Sequence, residues 1–223
     1  MIQNMVLDDR AWSHKAWMSQ VDADLFERVI LNVSRRAAPR LDVLEWGTGK
    51  STFYFSRLLN ERGLDYSWLS LEYDRAYFLD AVQPQLSTLE NAQVEFAEQA
   101  ASPAQTELDS ATAHIKFVVF DYGKLQPFLP EHAADRLANL DAYVNFPASL
   151  ARKFDLVFVD GRKRRRCLLQ AARLMKPNGV TLLHDAYRRH YQCAFDAFVS
   201  QRMLGEILWI GSQRETDFLD IIL

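Results

Sequence analysis

Four short stretches of this sequence set carboxylates, glycines or cations just behind an apolar run, where a chain leaving a strand would turn. The first is Glu45-Trp46-Gly47-Thr48-Gly49-Lys50-Ser51, behind LDVL. The second is Glu72-Tyr73, behind YSWLSL. The third is Asp160-Gly161, behind FDLVFV, followed at once by Arg162-Lys163-Arg164-Arg165-Arg166. The fourth is His184-Asp185, behind VTLL, with Arg188, Arg189 and His190 close after. Two glycines in one turn let the backbone bend sharply and let a ligand approach it closely. An acid in the place of Glu72 can accept both hydroxyls of a ribose, and Glu45 can hold a ligand amine. Glu98, behind AQVEFA, can reach an adenine amino group. Asp160, His184 and Asp185 are the candidates to take a proton from an attacking hydroxyl, with Asp160 ranked first. Arg162, Lys163, Arg164 and Arg188 can grip a carboxylate or phosphate; the competing reading of the basic run is a solvated helix face.

Two phosphate-binding motifs are tempting here and both fail. A P-loop needs a glycine five residues before its Gly-Lys pair, so that successive N–H groups wrap the phosphates. That position is Leu44, inside the apolar run, and Asp160 alone is a candidate Walker B acid. The dinucleotide fingerprint G-x-G-x-x-G lacks its third glycine, which is Thr52.

The elements that must carry these groups follow from periodicity. Residues 21–36 place Val21, Leu25, Phe26, Val29, Ile30 and Val33 on one helical face. Strands are expected at 41–46, 66–73, 92–99, 154–161 and 180–185. Helices follow the first two and span 167–175 and 191–201, with Gly63 ending one and Asp74 starting another. Residues 205–211 and 217–223 read as a closing hairpin. Such alternation predicts an α/β fold: a Rossmann-like, doubly wound, mostly parallel seven-stranded sheet with a C-terminal antiparallel hairpin. Residues 1–40 form an N-terminal helical extension and 41–223 the main domain. Four of the seven prolines fall at about 100–150, which reads as an irregular insertion with an extra strand at 115–120 and a short helix at 132–140. In such sheets ligands bind at the carboxyl ends of strands, and every candidate above sits at one.

At 223 residues, 49% hydrophobic and 25% charged, the chain is long and apolar enough to bury its own core, which excludes disorder. Its two cysteines, Cys167 and Cys193, have no paired spacing, which excludes a zinc ribbon or a disulfide scaffold. The net charge of −3 argues against a general polyanion binder. No apolar run is long enough to span a membrane and no leader pattern opens the chain, so the expectation is a cytoplasmic protein without a membrane partner. Trp12, Trp17 and Trp209 read as packing residues.

The ordered set Glu45-Trp46-Gly47-Thr48-Gly49, SLEYD around Glu72, FDLVFVDGR and KPNGVTLLHD resembles the class I S-adenosylmethionine-dependent methyltransferases. Over a narrower span it resembles uncharacterised bacterial methyltransferase-like proteins and the glucuronoxylan 4-O-methyltransferase-like group. The resemblance implies S-adenosyl-L-methionine as cofactor, held by Glu45, Gly47, Gly49, Lys50, Ser51, Glu72, Tyr73, Glu98 and Asp160. It implies methyl transfer to an oxygen of a polar or anionic acceptor, a small molecule or glycan, with nucleic acid ranked lower. The absence of Asn/Asp-Pro-Pro-Tyr after FVDG argues against amino-methylation of adenine or glutamine. In catechol-type relatives three strand-end ligands hold a divalent metal; Asp160 and Asp185 match two and Ala186 replaces the third, so a metal is admissible but not expected. The alternatives are a non-catalytic nucleotide-binding or interaction protein on the same fold and, lower, a P-loop NTPase.

Overall fold

A computed structural model describes residues 15–97, 114–123, 125 and 137–223. Eight strands form one sheet: β1 (Leu41–Trp46), β2 (Tyr66–Glu72), β3 (Ala92–Ala97), β4 (Ile115–Phe120), β5 (Phe154–Val159), β6 (Met175–Leu183), β7 (Ser200–Met203) and β8 (Trp209–Ser212). Their order across the sheet is β3-β4-β2-β1-β5-β6-β8-β7. The first six run parallel to one another, and β8 runs antiparallel to both β6 and β7. The helices are α1 (Gln20–Arg36), α2 (Lys50–Glu61), α3 (Arg75–Tyr77), α4 (Asp141–Asn145), α5 (Arg164–Leu174), α6 (Arg189–Gln192) and α7 (Leu219–Ile222).

Side chains alternate between two apolar layers, as a pleated sheet requires. On one side Val43, Trp68, Phe117 and Phe158 pack with α1 and α2, where Phe26 lies 4.1 Å from Phe55 and 4.6 Å from Phe158 between ring centres. On the other, Leu44, Leu69, Val118 and Val159 pack with Tyr143, Cys167 and Leu168 from α4 and α5. The sheet is therefore covered on both faces, and each large apolar side chain buried there contributes about 1.5–3 kcal/mol. In α1 the face is Phe26, Val29, Ile30 and Val33; Val21, expected on it, is 53% exposed.

The sheet has eight strands rather than the seven expected, because both the 92–97 and the 115–120 segments join it. Ile115–Phe120, expected as an extra strand within an insertion, stands beside β2 in the sheet, and the 92–99 segment forms the sheet edge. IKFVVF is buried at every position, whereas AQVEFA is buried at none; only the former has enough apolar surface to be covered on both faces. The closing hairpin is built from Ser200–Met203 and Trp209–Ser212 rather than from 205–211 and 217–223, which also shortens the helix expected at 191–201. The FLDIIL end is helical because the Asp217 carboxylate accepts the Leu219 N–H at 2.9 Å and Asn32 donates to the Ile221 carbonyl at 2.8 Å, docking the turn on α1. The helix expected at 132–140 lies largely outside the described residues, as do Trp12 and Glu98.

The amino ends of β1 and β5 are closed by charge. Lys176 donates to Asp42 at 2.7 Å and to Asp155 at 2.8 Å, and Arg152 also pairs with Asp42. Burial would raise the Asp42 carboxyl, but these two cations outweigh it and hold it below the ordinary value. The opposite, carboxyl end of the sheet stays open.

Candidate active site

The chain runs from β1 to β2 on one side and, after the outer strands, returns to β5 on the other. β1 therefore has β2 and β5 as neighbours, and the crevice at this reversal is where an open α/β sheet can admit a ligand. A cavity of about 410 Å³ lies there, within the ordinary range for a small-molecule site. Its lining includes Gly47, Thr48, Gly49, Lys50 and Ser51 after β1, Glu72, Tyr73 and Asp74 after β2, and Asp160, Gly161 and Arg162 after β5.

The glycine turn is shaped by its neighbours. The Gly47 N–H donates to the Leu71 carbonyl at 2.9 Å and the Asp160 N–H to the Trp46 carbonyl at 2.8 Å, so the three loops are tied together. Gly47 has φ +102°, and a Cβ on it would stand 2.5 Å from the Gly161 nitrogen. Only glycine fits that geometry without displacement.

The two acids of the sequence motif have different surroundings. Glu45 is fully buried and does not line the cavity. Its carboxylate accepts from Ser51 at 2.9 Å, Thr52 at 2.7 Å, the Trp68 indole at 3.0 Å and Ser70 at 2.8 Å. It clamps α2 to β2, and with both oxygens accepting from these groups it presents no acceptor to a ligand amine in the cavity. Burial pushes its carboxyl up to about 7 against these four donors. Glu72 does line the cavity, accepting the N–H groups of Tyr73 at 2.8 Å, Asp74 at 2.9 Å and Thr48 at 3.2 Å. Burial pushes it up to about 8 even though those N–H groups favour the charged form.

After β5, Asp160 Oδ1 takes two partners, His184 Nδ1 at 2.9 Å and Arg164 Nη2 at 3.0 Å. No described residue bonds its Oδ2. Burial raises the Asp160 carboxyl, but His184 and Arg164 outweigh it and hold it below the ordinary value. Burial lowers His184, but Asp160 outweighs that and holds the imidazole above its ordinary value. Asp185, with φ +58°, receives Arg164 Nη1 at 3.1 Å and Arg188 Nη2 at 2.9 Å on Oδ2.

The basic run does not act as one patch. Arg162 lines the cavity, its Nε donating to the Tyr73 hydroxyl at 3.3 Å. Lys163 is 5% exposed, has left-handed backbone and does not line the cavity. Arg164 touches the cavity but is 8% exposed and spent on protein acceptors. Arg166 pairs with Asp141 at 2.5 Å. Of the four cations first singled out, Arg162, Arg164 and Arg188 line the cavity and Lys163 does not.

A further part of the wall was not legible as such. Ala16, Trp17 and Met18 line the cavity; Trp17 is 64% exposed, with the Lys50 ammonium 5.7 Å from its ring centre, so it is not a core residue. Lys15 fixes this segment through Asp24 and Glu27, both at 2.6 Å. Asp22 fixes it again: it receives the Glu206 N–H at 3.0 Å and the Ile207 N–H at 3.2 Å, joining the start of α1 to the β7–β8 connection. The Ser19-x-x-Asp22 pair was the available signal, a cap pattern before an apolar helix; Ser19 Oγ accepts the Asp22 N–H at 3.1 Å.

Comparison with known proteins agrees with this architecture. The family described as "Methyltransferase domain" matches residues 44–186, which carry the loops after β1, β2 and β5. A cofactor-bound protein from MTB is 17% identical, with 89% of this chain and 83% of that one covered at a TM-score of 0.52. The O-methyltransferase TomG from Streptomyces achromogenes, in complex with SAM, is 14% identical, with 86% and 79% covered at a TM-score of 0.50. Those identities establish likeness of fold alone. No curated protein matches the chain. No helix among the described residues is long and apolar enough to cross a membrane.

Proposed function

The chain belongs to the methyltransferase-domain family, and from that premise we propose that it binds S-adenosylmethionine in the cavity beyond β1, β2 and β5 and moves its methyl group to an oxygen of an anionic acceptor. The observation that carries the reading is the joint lining of one 410 Å³ cavity by the Gly47–Gly49 turn, Glu72 and Asp160. The turn leaves the backbone bare for a close ligand. Glu72 can exchange its loop N–H groups for ribose hydroxyls. Asp74 and Asp160 add negative charge for a cationic ligand.

When bound, the cofactor supplies a methyl group made electrophilic by its sulfonium sulfur. Asp160 then has two tasks. Its Oδ1 is fixed by His184 and Arg164, which leaves Oδ2 to orient the acceptor hydroxyl and take its proton as the new O–C bond forms. The attacking hydroxyl would displace the thioether sulfur from that methyl group in the same step. Most of the acceleration in such a step comes from holding the reactants in line. His184 serves as a positioning residue. Glu45 shapes the turn through Ser51, Thr52 and Ser70 rather than touching the ligand.

The anionic acceptor is supported by Arg162, Arg188 and Lys50, which all line the cavity. The acceptor then approaches from the rim of the cavity. A uronic acid or sugar phosphate suits those cations, in keeping with the resemblance to the glucuronoxylan 4-O-methyltransferase-like group. The test is transfer of radiolabelled methyl from S-adenosylmethionine to uronic-acid glycans, sugar phosphates and RNA, with Arg162→Ala beside the wild type. The reading expects label in an acidic sugar and at least a tenfold loss with Arg162→Ala. Equal labelling by both proteins, or labelling of neutral acceptors alone, removes the anionic acceptor.

A further inference from the structure

We infer that Arg164 is a resident cation of this site: its guanidinium fills the space between Asp160 and Asp185 that a divalent ion would otherwise occupy, and it fixes Asp160 in place for methyl transfer. The inference rests on the methyltransferase reading for the role of Asp160, and on geometry alone for the position of the cation.

A guanidinium has five N–H donors and no acceptor, and here every donor has a destination. Nε donates to the Gly161 carbonyl at 2.9 Å. Nη1 donates to the His184 carbonyl at 2.8 Å and to Asp185 Oδ2 at 3.1 Å. Nη2 donates to the Asp160 carbonyl at 2.8 Å and meets Asp160 Oδ1 at 3.0 Å. A residue committed in this way cannot also swing out to hold an acceptor. It joins the loop after β5 to the loop after β6, side chain and backbone together.

The same contacts decide how a metal would fare. Divalent magnesium or manganese needs several oxygen ligands at short range. The two carboxylates in reach already face a buried cation, Asp185 is held a second time by Arg188, and the next residue, Ala186, is buried and has no side-chain ligand atom. The residues present do not fit a catechol-type metal site. Two backbone positions bear on the same point. Lys163, just before Arg164, has φ +55°, and Asp185 has φ +58°. Neither is glycine, and a left-handed backbone at such residues is uncommon and held by its surroundings. One delivers the guanidinium and the other turns its carboxylate onto it.

The experiment is a MnCl2 titration followed by electron paramagnetic resonance, on wild type, Arg164→Ala, Arg164→Lys and the double variant Arg164→Ala/Asp185→Asn. Wild type and Arg164→Lys are expected to hold no Mn²⁺. Arg164→Ala is expected to bind Mn²⁺ at least tenfold more tightly than wild type, and the added Asp185→Asn to abolish the gain. Mn²⁺ held by wild type would overturn the inference, as would a folded Arg164→Ala that binds no more than wild type. If Arg164→Ala does not fold, the wild-type titration decides alone. Calorimetry of the same wild-type sample with S-adenosylhomocysteine keeps the two claims apart. Product binding with Mn²⁺ retained removes the role of Arg164, whereas Mn²⁺ exclusion without product binding removes the methyltransferase reading.

Discussion

Gly47 and Gly161 stand back to back at the mouth of the sheet. A Cβ on Gly47 would lie 2.5 Å from the Gly161 nitrogen, and one on Gly161 would lie 2.9 Å from the Gly47 nitrogen and 2.1 Å from the Tyr143 hydroxyl. The two loops that must flank a ligand are thus in backbone contact, with the Tyr143 hydroxyl on the far side. Gly161→Ala is expected to destabilise the fold by about 1–3 kcal/mol through this overpacking and to weaken ligand binding in the cavity. Gly63 offers the control: it has φ +62° but nothing within 4 Å of a Cβ, so Gly63→Ala should cost only the left-handed backbone, about 1–2 kcal/mol, and leave the cavity unchanged. Denaturant melts of both variants, with ligand calorimetry, check this.

Proton linkage is expected at Glu72. Its folded-state value of about 8 lies above the ordinary 4.5, so the empty protein binds an extra proton between those values. Its stability should be fully present below about 4.5 and fall as pH rises toward 8, with Glu45, at about 7, adding to the same trend. Ribose hydroxyls favour the carboxylate, so binding below pH 8 should release a proton. Calorimetry in two buffers of different ionisation enthalpy at pH 7 measures that release directly. Glu72→Gln should remove it.

The Asp160–His184 pair should stabilise the fold over a bounded pH window. His184 lies above its ordinary value, so its contribution is full below 6.5 and fades as pH rises through the raised value. Asp160 lies below its ordinary value, so its contribution is full above 3.8 and fades as pH falls through the lowered value. His184→Ala is therefore expected to cost about 1–3 kcal/mol near pH 6, the scale of a hydrogen bond to a charged group, and less at pH 9.5. Urea denaturation at the two pH values is the measurement. An equal cost at both contradicts a charged pair.

Asp22→Ala is expected to destabilise the protein by about 2–3 kcal/mol, because two backbone N–H groups lose their buried acceptor. It should also loosen residues 16–18, which line the cavity. Quenching of tryptophan fluorescence reports on Trp17, which should become more accessible in the variant than in wild type.

That these strand ends meet at one cavity was legible because the signals are local. An acid or a glycine pair behind an apolar run marks a strand end, and Gly47, Gly49, Glu72 and Asp160 all line the cavity. The division of labour among the cations was not legible. Arg162, Lys163 and Arg164 are chemically alike in sequence, and only the placement of carbonyls from distant loops makes one a rim group and another an internal tie. Sheet order was hidden for a related reason. IKFVVF and AQVEFA both read as strands, and which one pairs with β2 depends on which can be buried on both faces. The helical end at Leu219–Ile222 turned on one capping contact from Asp217, beyond what a short apolar run can signal.

The central claim is that the cavity beyond β1, β2 and β5 holds S-adenosylmethionine. Its most direct test is calorimetry of the wild type and of Glu72→Ala with S-adenosylhomocysteine, ATP with magnesium, and NAD, each in turn. The account predicts one S-adenosylhomocysteine per chain, weakened roughly 10- to 100-fold in Glu72→Ala, the scale of losing hydrogen bonds to a charged group, and no heat from ATP or NAD. Binding of ATP or NAD without S-adenosylhomocysteine, or equal S-adenosylhomocysteine affinity in both proteins, would contradict it.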